Sequence, residues 1–185
     1  MEHEEPYEAH ELKEKLEQAG EAGTSWSKYL ALTTVFIAVF AAIASLFSGS
    51  YSNQALIEKN DAILYQNKAS DQWSYYQAKG IKKNIAEVFA QSQGSARLKE
   101  EALRYGSEQE NIKKVAVEYE KKRDESNITS EFLLAKHHKL SFAVTLFQIA
   151  ISLAAMSALL RRRIFWILAM MITAGGAWFF VLGFF

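Results

Sequence analysis

Three long apolar blocks dominate the pattern of hydrophobic and polar positions along the chain. They cover residues 29–50, 141–160 and 164–185, and none of them contains a charged side chain. A helix needs about 20 apolar residues to cross the roughly 30 Å of hydrocarbon in a bilayer. The pattern therefore predicts three transmembrane helices, at residues 28–50, 141–160 and 164–185.

A polar region, residues 51–140, separates the first two blocks and has a helical period. In its second half, successive positions alternate steps of four and three, which is typical of a heptad seam on one helix face. The seam comprises Leu98, Ala102, Tyr105, Gln109, Ile112, Ala116, Tyr119, Arg123, Ser126, Ser130, Leu133, His137 and Leu140. A less regular face in the first half comprises Ala55, Leu56, Ala62, Ile63, Ala69, Trp73 and Tyr76. We therefore expect two helical arms.

The two arms meet at a predicted turn near residues 91–96. This stretch breaks the apolar period and contains Gly94 and Ser95, which favour a turn. Folding the chain about these two residues sets residue i near residue 189 − i. The predicted fold is all-α: an integral membrane protein with three transmembrane helices and a long antiparallel helical (coiled-coil) hairpin between the first and the second.

Charged residues at the ends of the blocks predict the orientation in the membrane. A basic turn of Arg161, Arg162 and Arg163 joins the second and third blocks, and basic residues in short loops mark the cytoplasmic side. The acidic polar tail, residues 1–27, would then also be cytoplasmic, and the hairpin periplasmic. Lys136 and Lys139, just before the second block, favour the opposite orientation, but long domains count less in this rule.

The composition excludes several classes of function. The net charge is zero, so we expect no nucleic-acid partner. The chain has no cysteine, which excludes disulfides and thiolate metal sites. Phosphate-binding loops, nucleophile elbows and glycine-rich fingerprints are absent from the sequence. We therefore expect a non-enzymatic protein that uses no cofactor.

Polar residues on the two arms are candidates for fixing the register of the hairpin. They are Asn60, Asp61, Asn67 and Asp71 on the first arm and Arg123 on the second. The 189 − i relation sets Arg123 near Tyr65 and Gln66. Polar layers inside a helical interface specify which helix meets which, so we interpret these residues as registry residues, with ligand binding as the alternative. Trp73 and Tyr76 are the predicted aromatic anchors.

Two further residues are candidates for polar chemistry. Gln148 is the most polar side chain inside a predicted span. Amides in lipid usually bond a neighbouring helix, and a place in a pore lining is the alternative. His3 is a candidate metal ligand, because a free amino terminus and a third-position histidine can bind Cu(II) or Ni(II). A polar tail in which His3 is incidental is the simpler interpretation.

The run KNDAILYQNKASDQW at residues 59–73, followed by YYQAK at residues 75–79, carries a family resemblance. It resembles the signature of a bacterial membrane-protein family known only as a domain of unknown function (DUF4337). The order of an acidic tail, one span, this run, a charged helical region and a closing pair of spans is also similar. The resemblance implies a bacterial inner-membrane protein of this layout, and it implies no catalytic residue.

These features favour a structural or interaction role. We expect a homo-oligomeric module that displays the hairpin as a stalk, because a thin two-helix hairpin buries little apolar surface by itself. The expected partners are membrane lipid, copies of the same chain, and other envelope proteins that bind the hairpin. One alternative is an oligomeric channel or transport component with a pore formed by the spans. The side chains available to line it are Gln148, Thr33, Thr34, Thr145 and Ser152. Another alternative is metal handling by the histidine-bearing tail.

Overall fold

The computed structural model describes the backbone of residues 5–185 and the side chains of residues 26–185. Its elements are the helices α1 (Glu5–Gln93), α2 (Ala96–Leu160) and α3 (Arg163–Leu182). No strand occurs between residues 5 and 185. The all-α fold that the hydrophobic pattern predicts is therefore confirmed.

Two-residue links join these helices. Gly94 and Ser95 separate α1 from α2, and Gly94 has a φ of +62°, a left-handed conformation that glycine adopts without strain. Arg161 and Arg162 separate α2 from α3, and Arg161 has a φ of +52°. This conformation costs a residue with a Cβ about 1 kcal/mol. The hydroxyl of Ser157 donates to the carbonyl oxygen of Arg162 at 2.9 Å, which ties this link to the last turns of α2.

The chain folds into two units, and α1 and α2 contribute to both. Unit 1 comprises Met1–Ser50 and Lys136–Phe185, and unit 2 comprises Tyr51–Ala135. Unit 1 therefore contains parts of all three helices, whereas unit 2 contains one α1–α2 pair.

Unit 1 packs its helices around a core of small and aliphatic side chains with one large aromatic ring. The buried core residues are Leu30, Ile37, Ala41 and Ala44 of α1, Ala143, Phe147, Ala150 and Ala154 of α2, and Ala169 of α3. Small side chains at these positions let the helix backbones approach closely. Gly176 of α3 continues this pattern, because a Cβ at Gly176 would lie only 2.8 Å from a ring carbon of Phe147.

The outer surface of unit 1 is apolar. Each of the three helices contains a stretch long and apolar enough to cross a membrane. Within the most apolar window of α1, α2 and α3, only 17%, 28% and 11% of the residues are buried. Large side chains such as Phe36, Leu46 and Trp178 are exposed instead. An exposed apolar surface of this extent is what a membrane-spanning helix presents to lipid.

Unit 2 is an antiparallel hairpin of α1 and α2 with a seam rich in alanine. Its buried residues are Ala55, Ala62, Ala69, Ala86 and Ala90 of α1, and Ala102, Ile112, Ala116 and Ser130 of α2. None of the heptad-seam positions predicted on α2 is exposed. Gly80 lies against Gln109 and Gly106 lies against Lys83, so both pairs follow the 189 − i relation. The packing of two long helices as a hairpin is thus observed directly.

The packing face of α1 is narrower than the predicted face. Leu56 and Ile63 were expected on the buried side, but they are 61% and 54% exposed. The face that meets α2 follows Ala55, Ala62 and Ala69, which are buried and seven residues apart. Alanine lets the α2 backbone come closer than leucine or isoleucine would, so the larger side chains of α1 lie on another face of the helix.

Candidate functional site

The predicted registry residues of α1 lie outside the interface between α1 and α2. Asn60, Asp61, Asn67 and Asp71 are all exposed. Because the alanines define the buried face, these four positions turn away from α2. Within one chain these four side chains therefore fill no buried layer of the hairpin, and the registry role predicted for them stays a prediction.

Arg123 of α2, in contrast, does contact α1. Its Nη1 donates to Oε1 of Gln66 at 2.7 Å, a pair that satisfies the 189 − i relation. Its Nε donates to Oδ1 of Asp124 at 2.8 Å. This hydrogen bond to Asp124 raises the pKa of Arg123 and lowers the pKa of Asp124. The half-buried guanidinium therefore stays charged and links the two helices.

The two predicted aromatic anchors are half-buried and contact each other. The rings of Trp73 and Tyr76 meet edge to face with centroids 5.4 Å apart. Nε1 of Trp73 donates to Oε1 of Glu120 at 2.9 Å, so the indole is also bonded to α2. The carbonyl oxygen of Tyr76 accepts a hydrogen bond from Nε2 of Gln109 at 3.2 Å. Both anchors thus lie at contacts between α1 and α2.

A second polar contact, centred on Lys79 and Glu108, was missed by the sequence analysis. Nζ of Lys79 donates to Oε2 of Glu108. The same ammonium lies 5.3 Å from the ring centroid of Tyr75 and 5.2 Å from that of Tyr105. The hydrogen bond to Glu108 raises the pKa of Lys79, and the hydrogen bond from Lys79 lowers the pKa of Glu108. The 189 − i relation sets Lys79 within one turn of Glu108, and this was the signal available in the sequence.

The amide of Gln109 occupies the space that Gly80 leaves open. A Cβ at Gly80 would lie 2.7 Å from Nε2 of Gln109. At Gly106 the nearest side-chain atom, Cε of Lys83, lies at an ordinary 3.7 Å. Gly80 therefore allows a close contact between α1 and α2, whereas Gly106 does not serve that purpose.

A stacked tyrosine pair forms the next contact along unit 2. The rings of Tyr65 and Tyr119 have centroids 6.3 Å apart and an interplanar angle of 22°. Nζ of Lys68 lies 5.7 Å from the Tyr65 centroid and 5.6 Å from the Tyr119 centroid. Lysine ammonium groups over aromatic faces are attracted by the ring quadrupole. At this level of unit 2, α1 and α2 are therefore held together by contacts between tyrosine rings and a lysine ammonium, where many coiled coils have leucine side chains.

A separate stripe of α1 in unit 2 combines apolar and amide side chains. We define the outer face of α1 as Leu56, Asn60, Ile63 and Asn67, spaced by steps of four, three and four. All four side chains are exposed, with more than half of Leu56 and Ile63 accessible. This spacing is the one that a helix uses to pack against another helix. No segment among the described residues covers it.

Unit 1 contains a buried polar contact at Ser48. The Ser48 hydroxyl is 2.9 Å from Nδ1 of His137 and 2.9 Å from the hydroxyl of Ser141. His137, a predicted seam position, also has Nδ1 2.9 Å from the carbonyl oxygen of Ser48. Buried polar groups need hydrogen-bond partners, and Ser48, His137 and Ser141 provide them for one another where α1 meets α2 in unit 1.

Gln148 lies exposed on the outer surface of α2, in a groove of unit 1. The groove is lined by Thr145, Gln148, Ile149, Ser152, Leu153 and Met156. The Thr145 hydroxyl donates to the Ser141 carbonyl oxygen, and the Ser152 hydroxyl donates to the Gln148 carbonyl oxygen. The side-chain amide of Gln148 has no hydrogen-bond partner among the described residues.

The other candidate pore residues lie elsewhere in unit 1. The hydroxyls of Thr33 and Thr34 both donate to the carbonyl oxygen of Leu30. The Thr33 hydroxyl also accepts a hydrogen bond from Nε1 of Trp166 at 3.2 Å. Thr33 therefore contributes to packing between α1 and α3, whereas the candidate pore residues Thr145, Gln148 and Ser152 share the groove on α2.

The remaining candidates concern metal binding and topology. His3 lies outside the described residues. Among residues 26–185, no group of three or more histidine, aspartate or glutamate side chains is arranged to hold a metal ion. Arg161, Arg162 and Arg163 are exposed at the link between α2 and α3.

The fold and these surfaces define a class of protein: an all-helical chain with three helices apolar enough to cross a membrane and one helical hairpin. The family model described as Domain of unknown function (DUF4337) matches residues 26–185. Because the match covers most of the sequence, the chain belongs to this family, and the resemblance of the KNDA…QNKASDQW run is confirmed. Comparisons with curated proteins and with solved structures find no match.

Proposed function

We propose that this chain is a non-enzymatic protein of the bacterial inner membrane that self-associates through the outer face of α1 and presents the hairpin to other envelope proteins. Unit 1 would lie in lipid, which is supported by its exposed apolar side chains. The observation that carries the proposal is the outer face itself. It has the spacing of a helix–helix interface and is left uncovered by the alanine seam.

The two asparagines make a second copy of this chain the best-fitting occupant of the outer face. Asn60 and Asn67 are seven residues apart, so they recur at the same heptad position. A side-chain amide both donates and accepts, and it can therefore pair with the same amide of an identical helix. A polar asparagine at such a position specifies register and oligomeric state at a cost in stability. Leu56 and Ile63 would supply the apolar contact.

Membrane insertion favours this pairing, because copies inserted with the same orientation present their α1 helices in parallel. Asn60 of one copy then lies at the height of Asn60 of the next. The registry role predicted for Asn60 and Asn67 thus becomes a proposal about contacts between chains. Asp61 and Asp71 lie at flanking exposed positions, where they would stay in contact with water.

A single-cysteine experiment tests the proposal, because the natural chain contains no cysteine. Asn60→Cys should form a disulfide-linked dimer in native membranes under mild oxidation. Thr129→Cys is the matched control, since Thr129 is exposed on α2 and lies at the level of Asn60 by the 189 − i relation. Equal cross-linking at the two positions, or none at Asn60, would exclude the outer face of α1 as the interface.

The alternative, an oligomeric channel or transport component, has one observation in its favour. Thr145, Gln148 and Ser152 share the exposed groove on α2. Thr33 accepts a hydrogen bond from Trp166, so fewer polar side chains are left to line a pore around a common axis. Ion flux through liposomes that contain the purified protein would favour the channel over the interaction module.

A further inference from the structure

We propose that the Gln148 groove of α2 is a second self-association site, in which the side-chain amide of Gln148 bonds the same amide in another copy of this chain within the membrane. This inference rests on the proposed function, because it requires both membrane insertion and self-association. It concerns unit 1, whereas the outer face of α1 belongs to unit 2.

The first argument is the position of Gln148 in its helix. It lies seven residues after the start of the predicted span 141–160, well inside the apolar block. It is exposed on the outer surface of unit 1, so the three helices of one chain do not cover it. The exposed neighbours Ile149 and Met156 are apolar, which is typical of a surface in contact with lipid or with another helix.

The second argument is the hydrogen-bonding capacity of the amide. An amide has two donor hydrogens and one acceptor oxygen, and hydrocarbon offers partners for neither. The hydroxyls of Thr145 and Ser152 already donate to backbone carbonyl oxygens of α2. The hydroxyl hydrogens one turn before and one turn after Gln148 are thus engaged, and no described residue of the chain supplies a hydrogen-bond partner for the Gln148 amide.

The third argument is the shape of the groove. Thr145 lies three residues before Gln148 and Ser152 lies four residues after it, so two short side chains flank the long one on the same helix face. Short side chains let a second helix approach closely enough for a hydrogen bond between side chains. The groove therefore has both the room for a neighbouring helix and the polar group that such a helix must satisfy.

The fourth argument identifies the neighbour. Copies that insert with one orientation carry Gln148 at one depth in the bilayer. A two-fold axis along the membrane normal then brings Gln148 of one copy against Gln148 of the other. Two amides in this arrangement donate to and accept from each other, which no apolar helix or lipid chain can do.

Cysteine cross-linking again provides the test. Gln148→Cys, the single cysteine of its chain, should form a dimer with a copper–phenanthroline oxidant in membranes. Ala174→Cys is the matched control, because Ala174 is exposed on α3, and neighbouring contacts between Leu146 and Gly175 and between Phe147 and Gly176 set it at the same depth. Dimers at Gln148 and none at Ala174 support the site. Equal yields at both positions overturn it.

An equilibrium measurement separates the amide from the surrounding surface. In nanodiscs or detergent, Gln148→Leu should weaken dimerisation about tenfold, because one interhelical amide pair in lipid is lost. Gln148→Asn keeps the amide and should restore most of the affinity. If Gln148→Leu dimerises as well as the natural chain, the amide pair does not exist.

The outcomes also separate this inference from the proposed function. Cross-linking at Asn60 without cross-linking at Gln148 supports the outer face of α1 as an interface and refutes the Gln148 site. Failure at both positions refutes both proposals. Labelling of Gln148→Cys by a membrane-impermeant thiol reagent in intact membranes would show that water reaches the groove. That result would refute an amide pair shielded from water and would favour a pore.

Discussion

At the scale of single residues, Lys79 shows how unit 2 holds a charge in a helix interface. A half-buried ammonium loses part of its hydration, and it needs an opposite charge or an aromatic face in return. Lys79 has both, since Glu108 accepts its hydrogen bond and Tyr75 and Tyr105 flank it. The sequence predicted the neighbouring seam residue Tyr105. Which α1 side chain faces it depends on the rotation of α1, and the predicted face of α1 was too broad to fix that rotation.

The pH dependence of hairpin stability should report the contact between Lys79 and Glu108. The pKa of Glu108 is lowered from 4.5, so its contribution is present above pH 4.5 and is lost as the pH falls through the lowered pKa. The pKa of Lys79 is raised from 10.5, so its contribution is present below pH 10.5 and is lost as the pH rises through the raised pKa. Thermal melts followed by circular dichroism should show Glu108→Gln less stable than the natural chain between these limits.

The effect should be small because such pairs are partly solvated. We expect Glu108→Gln to lower the melting temperature at neutral pH by on the order of 2 °C. The difference should shrink as the pH falls from 4.5 through the lowered pKa of Glu108, because Glu108 of the folded natural chain becomes protonated there. Glu100→Gln, at an exposed position of the same helix, is the control and should leave the melt unchanged. A difference that persists undiminished in acid would contradict the assignment.

At the scale of elements, α1 has two faces that compete for one partner helix. Ala55, Ala62 and Ala69 form one face, and the outer face with Leu56 and Ile63 forms the other. Burial of leucine and isoleucine is worth more per side chain, which is why the predicted packing face included Leu56 and Ile63 beside the alanines. The α2 seam is also small, with Ala102 and Ala116 buried, and close backbone approach is possible only if both helices contribute small residues. The hydrophobic period of one helix cannot show whether the partner helix also has small residues at the matching positions.

The glycines of the two arms provide a matched test of this close packing. Gly106→Ala should raise the free energy of unfolding by about 1 kcal/mol, because alanine is the better helix former and the new Cβ meets Lys83 at an ordinary 3.7 Å. Gly80→Ala gains the same propensity but pushes Nε2 of Gln109 away from the Tyr76 carbonyl oxygen. That lost hydrogen bond is worth about 1 kcal/mol, so the net change should be near zero. Chemical denaturation in detergent measures both variants.

A third variant identifies the cause. In the double variant Gly80→Ala with Gln109→Ala, the amide that obstructs the new Cβ is gone. The substitution at Gly80 should then be stabilising when it is measured against Gln109→Ala alone. If Gly80→Ala in the natural chain already stabilises as much as Gly106→Ala, Gln109 does not pack over Gly80.

At the scale of the whole molecule, the three apolar helices and the hairpin were predictable because each depends on a one-dimensional feature of the sequence. Long uncharged blocks gave the apolar helices, and the lack of proline after Pro6 allowed α1 and α2 to run unbroken through the polar region. The turn, at Gly94 and Ser95, fixed which residues meet, as the contact of Arg123 with Gln66 shows. The surfaces that face outward, including Gln148, could not be assigned until all three helices of unit 1 were packed.

Membrane orientation follows from charges at the helix ends, and it decides which compartment the proposed interaction module faces. Arg161, Arg162 and Arg163 should hold the link between α2 and α3 in the cytoplasm, so Ser95 should face the periplasm and Ser27 the cytoplasm. Ser95→Cys should react with a membrane-impermeant maleimide in spheroplasts of a Gram-negative host, whereas Ser27→Cys should react only after permeabilisation. The reverse labelling pattern would place the hairpin in the cytoplasm, and partners for its outer face would then have to be sought there.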